Sequence, residues 1–353
     1  MRALRLLEWK TEPALVEIQR PTAGPGEVVI RVGGAGACRS DLTVMRDYDS
    51  DRRPWRLPFT LGHETAGWVA EIGEGVRSFE VDQPVVVYAP WGCGRCPSCS
   101  LGLETYCQHK DRTAAPGGGA GLGRDGGMAE FMRVPDAERH LVALPAGLEP
   151  RRAAPLADAG LTAYHAVARS WDKLRPGSVA VVIGVGGLGH LAIQILKATT
   201  ATTVVAVDLE ATAVELATRV GADHALPGGP RVAELVRDLA GPRGAEVVLD
   251  FVGSQDSLDL ARSLVGPLSD LTIVGLARGT VPVGFPTIDY EVSVQTSYWG
   301  SSRELVEVVD LAARGLIDVE TCEYSLEDAA QAYVDLAQGR VRGRAVVIPG
   351  TRS

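Results

Sequence analysis

The sequence predicts an α/β chain in which a doubly wound parallel sheet is joined to a second, mostly-β unit. Three observations predict it. Over residues 1–150, short apolar runs (EVVIRVGGAGA, TAGWVAEIG, QPVVVYAP, HLVALP) are punctuated closely by Gly and Pro, the pattern of a largely antiparallel, barrel-like unit. From residue 178 onward, buried strands alternate with apolar-faced helices, the signature of a parallel sheet. A glycine turn joins the first of those strands to its helix.

The elements of the second half follow in order. SVAVVI is a buried strand, GHLAIQILKATT a helix and TTVVAVDLE a second strand. TAVELATRVGAD reads as a helix, AEVVLDFVG as a strand, SLDLARSLV as a helix and SDLTIVGLA as a strand. After about residue 293 come the helix SRELVEVVDLAARG and the terminal strand GRAVVIP. No internal repeat is present. The glycine-rich patch at 115–127 is expected to be a mobile loop.

At 353 residues the chain is long enough for two cores. Its net charge of −9 argues against nucleic acid or an anionic membrane as a general partner. The N-terminus lacks the features of a signal peptide, and no stretch approaches a membrane span. A cytoplasmic protein is therefore expected, and in a reducing compartment clustered cysteines are more often metal ligands than disulfides. Four of the six cysteines, Cys93, Cys96, Cys99 and Cys107, fall inside WGCGRCPSCSLGLETYC. Their spacing, Cys-x2-Cys-x2-Cys-x7-Cys, suits a tetrahedral zinc, and the glycines and proline between them suit tight turns. Two disulfides or an iron–sulfur cluster are the alternatives. With every corner filled by protein, such a zinc would be structural, in a lobe spanning about 91–110.

Gly184-Val-Gly186-Gly187-Leu188-Gly189 fits G-x-G-x-x-G. It follows a buried strand, opens a helix, and precedes Asp208 at the end of the next strand. That context predicts a Rossmann domain with a pyrophosphate at the helix N-terminus. Asp208 can accept hydrogen bonds from ribose hydroxyls and would repel a 2′-phosphate, so NAD is expected rather than NADP.

Further donors lie at Cys38 in GACRSDL, at His63 and Glu64 in LGHETAG, and at Asp158 in PLADAGLT. Each is bland alone: a lone Cys is usually a small buried hydrophobe, and Asp158 could cap a helix. Together GACRSDL, LGHETAGWVAEIGEGV, the four-cysteine lobe, PLADAGLTAYHA, VVIGVGGLGHLAIQ and VRGRAVVIP resemble the zinc-dependent medium-chain alcohol dehydrogenases over nearly the full chain. The look is nearest to bacterial secondary alcohol dehydrogenases that act on bulky ketones.

The resemblance implies a GroES-like catalytic domain, discontinuous at 1–158 and 294–353, around an NAD-binding Rossmann domain at 159–293. It implies two zinc ions per chain, with Cys38, His63 and Asp158 as catalytic ligands where many relatives have Cys in the last place. Glu64 matches a residue that approaches the metal during ligand exchange. Asp41 matches the carboxylate that orients the ligand His. Arg39 and Arg344 match contacts to the cofactor pyrophosphate, and Thr162 a hydroxyl near the nicotinamide. Ser40 matches the hydroxyl that starts a proton relay, although Thr43 stands where many relatives place a relay His.

The implied reaction is reversible hydride transfer between an alcohol or ketone and nicotinamide C4, with zinc as the Lewis acid. Trp55, Trp91, Leu122, Tyr298 and Trp299 are candidate pocket walls by position, which would suit apolar or aryl ketones. A polyol or sugar dehydrogenase is the alternative within enzymes, and a non-catalytic cofactor sensor the one outside them. A homo-oligomer, dimer or tetramer, is expected.

Overall fold

The structure, a computed structural model, describes residues 1–53, 55–109 and 119–350. The chain divides into two compact units. One comprises Met1–Leu161, Gly300–Arg314 and Val319–Ser353, and the other Thr162–Trp299 and Gly315–Asp318.

The first unit is built around the long strand Val28–Ala37. One of its edges pairs antiparallel with Glu64–Ile72. The other is shared by Phe131–Val134 and Arg344–Ile348, so the C-terminal strand is seated beside the N-terminal ones. Pro84–Val87 and Leu141–Ala143 extend the sheet on one side and Thr321–Ser325 on the other. Val28, Val29, Ile30, Val85, Val86, Val87, Val346 and Val347 are fully buried. Each such side chain contributes about 1.5–3 kcal/mol. The helix Ser302–Ala313 starts at a reciprocal cap: Glu304 N donates to Ser301 Oγ at 3.2 Å, and Ser301 N to Glu304 Oε2 at 2.6 Å.

The second unit holds six parallel strands, in the order His224–Pro227, Thr203–Asp208, Val179–Ile183, Ala245–Asp250, Val265–Ile273, Ser293–Thr296. Numbered along the chain this is 3-2-1-4-5-6, the doubly wound order whose reversal point receives a dinucleotide. Ser293–Thr296 pairs with Val265–Ile273 as the outermost strand. The domain boundary expected at 293/294 thus falls inside a strand of this sheet.

The mobile loop expected at 115–127 needs a correction where it is described; residues 115–118, and Lys110 at the end of the lobe, lie outside the described residues. Residues 119–127 are fixed by backbone hydrogen bonds: Ala120 N to Ala89 O at 3.1 Å, Gly126 N to Thr60 O at 2.9 Å and Gly127 N to Gly62 O at 2.8 Å. A Cβ on Gly119 would lie 2.1 Å from Ala89 O, and one on Gly126 2.2 Å from Gly62 O. Glycine serves here for close backbone approach.

Candidate active site and metal centres

The four cysteines of the lobe come together. Their Sγ atoms lie within 4.8 Å of one another, and Cys96, Cys99 and Cys107 are buried. The helix Pro97–Ser100 starts with proline directly after Cys96, and Gly94 and Gly102 turn with φ of 76° and 74°. Gly92 admits no side chain, since its Cβ would lie 2.5 Å from Cys99 Sγ. Backbone N–H groups of Gln108 and Cys99 draw the Cys96 thiol down to about 6, whereas burial lifts that of Cys99 to about 12. Four converging soft donors, with backbone dipoles already stabilising a thiolate, fit a tetrahedral zinc.

The second cluster is assembled from distant segments. Cys38 directly precedes the helix Arg39–Asp47, His63 and Glu64 sit at the start of Glu64–Ile72, and Asp158 precedes the helix Ala159–Ala168. Their donor atoms also lie within 4.8 Å of one another. Asp158 Oδ2 is 3.8 Å from Cys38 Sγ and 3.4 Å from His63 Nε2, so this carboxylate faces the cluster. Ser40 Oγ lies 3.4 Å from the same Nε2.

Behind the ring, His63 Nδ1 is 3.0 Å from Asp41 Oδ1. Asp41 Oδ2 accepts from Cys38 N at 3.0 Å and from the Tyr333 hydroxyl at 2.9 Å. Burial pulls the His63 imidazole down, but Asp41 and Asp158 outweigh it and hold it well above its ordinary value. The cluster thus draws positive charge to the point where Cys38, His63 and Asp158 meet. A thiol, an imidazole and a carboxylate around one point fit a zinc that keeps a position open.

Arg344, matched above to a cofactor contact, pairs with carboxylates of the second cluster. It is 4 % exposed, donates from Nε to Glu64 Oε2 at 2.8 Å, pairs with Glu64 Oε1 through Nη2, and lies 3.6 Å from Asp158 Oδ2. A guanidinium buried this deeply requires carboxylate partners, and these two supply them. Burial pushes the Glu64 carboxyl up to about 7 against the pull of Arg344. Arg39 is exposed at the first residue of its helix, and Thr43 lies one turn beyond Ser40 on that helix.

Three of the candidate walls, Trp55, Trp91 and Leu122, are buried in the first unit. Trp55 packs edge-on against Tyr48 and Phe59, and Trp91 lies 6.0 Å from the His140 ring. Tyr298 and Trp299 belong to the second unit and stack on each other, with Trp299 buried; the buried Thr162 is in that unit too.

In the second unit the glycine turn links Val179–Ile183 to the helix Gly189–Thr199. Gly184 has φ 88°, and a Cβ on Gly189 would lie 1.8 Å from Gly184 O, so both positions require glycine. A Cβ on Gly186 would meet nothing within 4 Å, which leaves open space over the turn at an exposed residue. Gly187 and Leu188 complete the turn at intermediate depth. Asp208 ends Thr203–Asp208 and accepts from Val185 N at 2.7 Å and Glu210 N at 3.0 Å. The exposed turn at a helix N-terminus, with a carboxylate at the next strand end, fits a dinucleotide.

Residues 24–146 match the family model of the alcohol dehydrogenase GroES-like domain, and residues 187–314 that of the zinc-binding dehydrogenases. An alcohol dehydrogenase of Geobacillus stearothermophilus is 33 % identical, with 98 % of each chain covered. The chain belongs to the zinc-dependent medium-chain alcohol dehydrogenase family. A D-arabinose 1-dehydrogenase (NADP(+)) of Saccharolobus solfataricus is 34 % identical over 98 % of this chain and 97 % of its own. The crystal structure of an alcohol dehydrogenase from Aeropyrum pernix superposes with a TM-score of 0.89 at 36 % identity, covering 99 % of this chain and 100 % of that one. Family membership makes this chain an NAD-dependent oxidoreductase that uses zinc. Among the described residues, no helix is long and apolar enough to cross a membrane.

Two features escaped the sequence: Tyr333 on the helix Ala329–Ala337, and the Arg139–Glu104 ion pair beside the cysteine lobe. Neither carries a local signal, because each partner is remote in sequence.

Proposed function

We propose that this dehydrogenase is an alcohol:NAD oxidoreductase that interconverts secondary alcohols with bulky or aryl ketones. The observation that carries the reading is the convergence of Cys38, His63, Glu64 and Asp158 from separate segments into one buried cluster. Cys38, His63 and Asp158 would hold the catalytic zinc, and Cys93, Cys96, Cys99 and Cys107 the structural one. The catalytic zinc supplies a Lewis acid for the substrate oxygen when bound, and NAD supplies the hydride acceptor. Asp41 keeps Nδ1 of His63 occupied, so that Nε2 faces the cluster. Arg344 holds Glu64 beside the ligands, where it can exchange. Ser40 Oγ takes the substrate proton and passes it through a cofactor ribose hydroxyl to water, with Thr43 assisting from the next turn of the helix. Within the first unit, Trp55, Trp91 and Leu122 would supply apolar substrate walls; within the second, Tyr298 and Trp299 would supply an apolar face and Thr162 a hydroxyl for the nicotinamide.

Metal analysis of purified protein should give two zinc ions per chain. NADH absorbance with a panel of aryl ketones, polyols and sugars tests the substrate class. Faster turnover of pentoses than of aryl ketones would favour the sugar reading, which the D-arabinose dehydrogenase relative supports. NAD should give the higher kcat/KM, and Asp208→Gly should narrow the gap to NADP; a wild type faster with NADP would refute the role of Asp208. We further infer a cytoplasmic homo-oligomer. The exposed Phe285 and Tyr290 support the assembly. Light scattering in solution tests that assembly.

A further inference from the structure

We propose that Tyr333 is a positioning residue for the Cys38–His63–Asp158 centre, acting through the carboxylate of Asp41. The proposal rests on the reading of that cluster as a metal centre. Tyr333 is 1 % exposed and Asp41 0 %. The hydroxyl reaches Asp41 Oδ2 at 2.9 Å across 292 residues of sequence. Phenylalanine would fill nearly the same volume, so packing alone does not call for the oxygen. Its other neighbour in the core is Met128, with Sδ 3.7 Å away, a weak acceptor that leaves the Asp41 contact as the strong bond.

The geometry shows what the bond does. Asp41 receives two donors on Oδ2, from Cys38 N and Tyr333, and faces His63 Nδ1 with Oδ1. Two donors on one oxygen fix the rotation of the carboxylate, and hence the side of the imidazole that it can engage. Without the phenol, the Cys38 amide on the neighbouring turn would hold Oδ2 by itself, and the plane of the carboxylate facing His63 would be less tightly set. Burial, and then the charge of Asp41, push the Tyr333 phenol well above its ordinary range, so it remains a donor. The helix Ala329–Ala337 thereby helps to set a centre whose donors all come from the first 158 residues.

The test is release of the catalytic zinc to a chromophoric chelator from the intact enzyme, with zinc content measured first. Tyr333→Phe should retain two ions as purified and keep the thermal midpoint near that of wild type. It should release the catalytic ion several-fold faster, less than the roughly 10- to 100-fold typical of losing the ligand's own outer partner, here Asp41. Cobalt(II) placed in that site should show shifted visible bands. In the Asp41→Ala background, Tyr333→Phe should add no further acceleration, because the acceptor through which it acts is gone. Met128→Leu should leave release unchanged. A wild type with fewer than two ions would sink the metal reading and this proposal together. A wild type with two ions, and equal release and cobalt spectra in Tyr333→Phe, would overturn the proposal alone. Additive acceleration in the double variant would also overturn it, since Tyr333 would then act by another route.

Discussion

The cysteine lobe and the Cys38–His63–Asp158 cluster solve the same problem, converging donors on a point, in opposite ways. The lobe takes four identical soft donors from fifteen consecutive positions and closes every corner with protein. The other cluster takes mixed donors from three regions of sequence and surrounds them with buried charge: Asp41, Glu64 and Arg344. Local and uniform donors make a brace for the fold. Dispersed and mixed donors need the whole unit folded before they meet, and on the proposed reading they keep one position for the substrate oxygen.

That contrast predicts which function each set loses. The largest effect on activity should come from Asp158→Ala. Removing the carboxylate should drop activity by several orders of magnitude, because Lewis-acid assistance is lost, and should leave one zinc per chain, held by the lobe. Glu64 remains to pair Arg344, so the fold should persist. Two zinc ions retained with only a lowered Tm would show that Asp158 serves as a helix cap, a role worth about 0.5–2 kcal/mol.

Cys96→Ser should do the reverse. It removes the thiol most readily ionised in the lobe and should cost one zinc and thermal stability. If the ion contributes about 3 kcal/mol, Tm falls by about 4 °C for a chain of this length unfolding as one unit. Binding of NADH to the protein that stays folded should match wild type. A variant that loses cofactor affinity in proportion to stability would erase the proposed division of labour.

The same contrast explains what the sequence made legible. The lobe could be read from spacing, since its geometry is encoded within a few turns of chain. So could the glycine turn, where Gly184 and Gly189 meet a local steric demand. Cys38, His63 and Asp158 carried no joint signal by themselves; only resemblance to a family grouped them. The segment of Arg344 matches a cofactor contact, and only the fold reveals its pairing with the buried Glu64, 280 residues away in sequence. Tyr333 was silent for the same reason: a buried tyrosine on an amphipathic helix reads as core until its oxygen is seen to face Asp41. The glycine-rich patch misled because composition alone does not separate a flexible glycine from one forced by a neighbouring backbone.

The smallest effect is expected at His140, one of two buried histidines that stand one at each region. His63, between Asp41 and Asp158, is held well above its ordinary value in spite of burial. His140 follows Arg139, which donates to Cys99 O at 3.0 Å on the flank of the lobe. It is 2 % exposed, its Nδ1 lies 2.7 Å from Pro135 O, and burial lowers its pKa. An unfolded His takes up a proton as pH falls through about 6.5, while folded His140 takes it up only at lower pH. In that window the unfolded chain binds more protons, so stability is present above about 6.5 and is lost as pH falls. Urea unfolding of the zinc-loaded enzyme between pH 7 and 5 should therefore show a declining stability. His140→Gln, which keeps a donor for Pro135 O, should make the decline shallower even if it lowers the stability at pH 7. An unchanged slope would mean that His140 titrates alike in both states, and that the dry surrounding of its ring does not hold back its protonation.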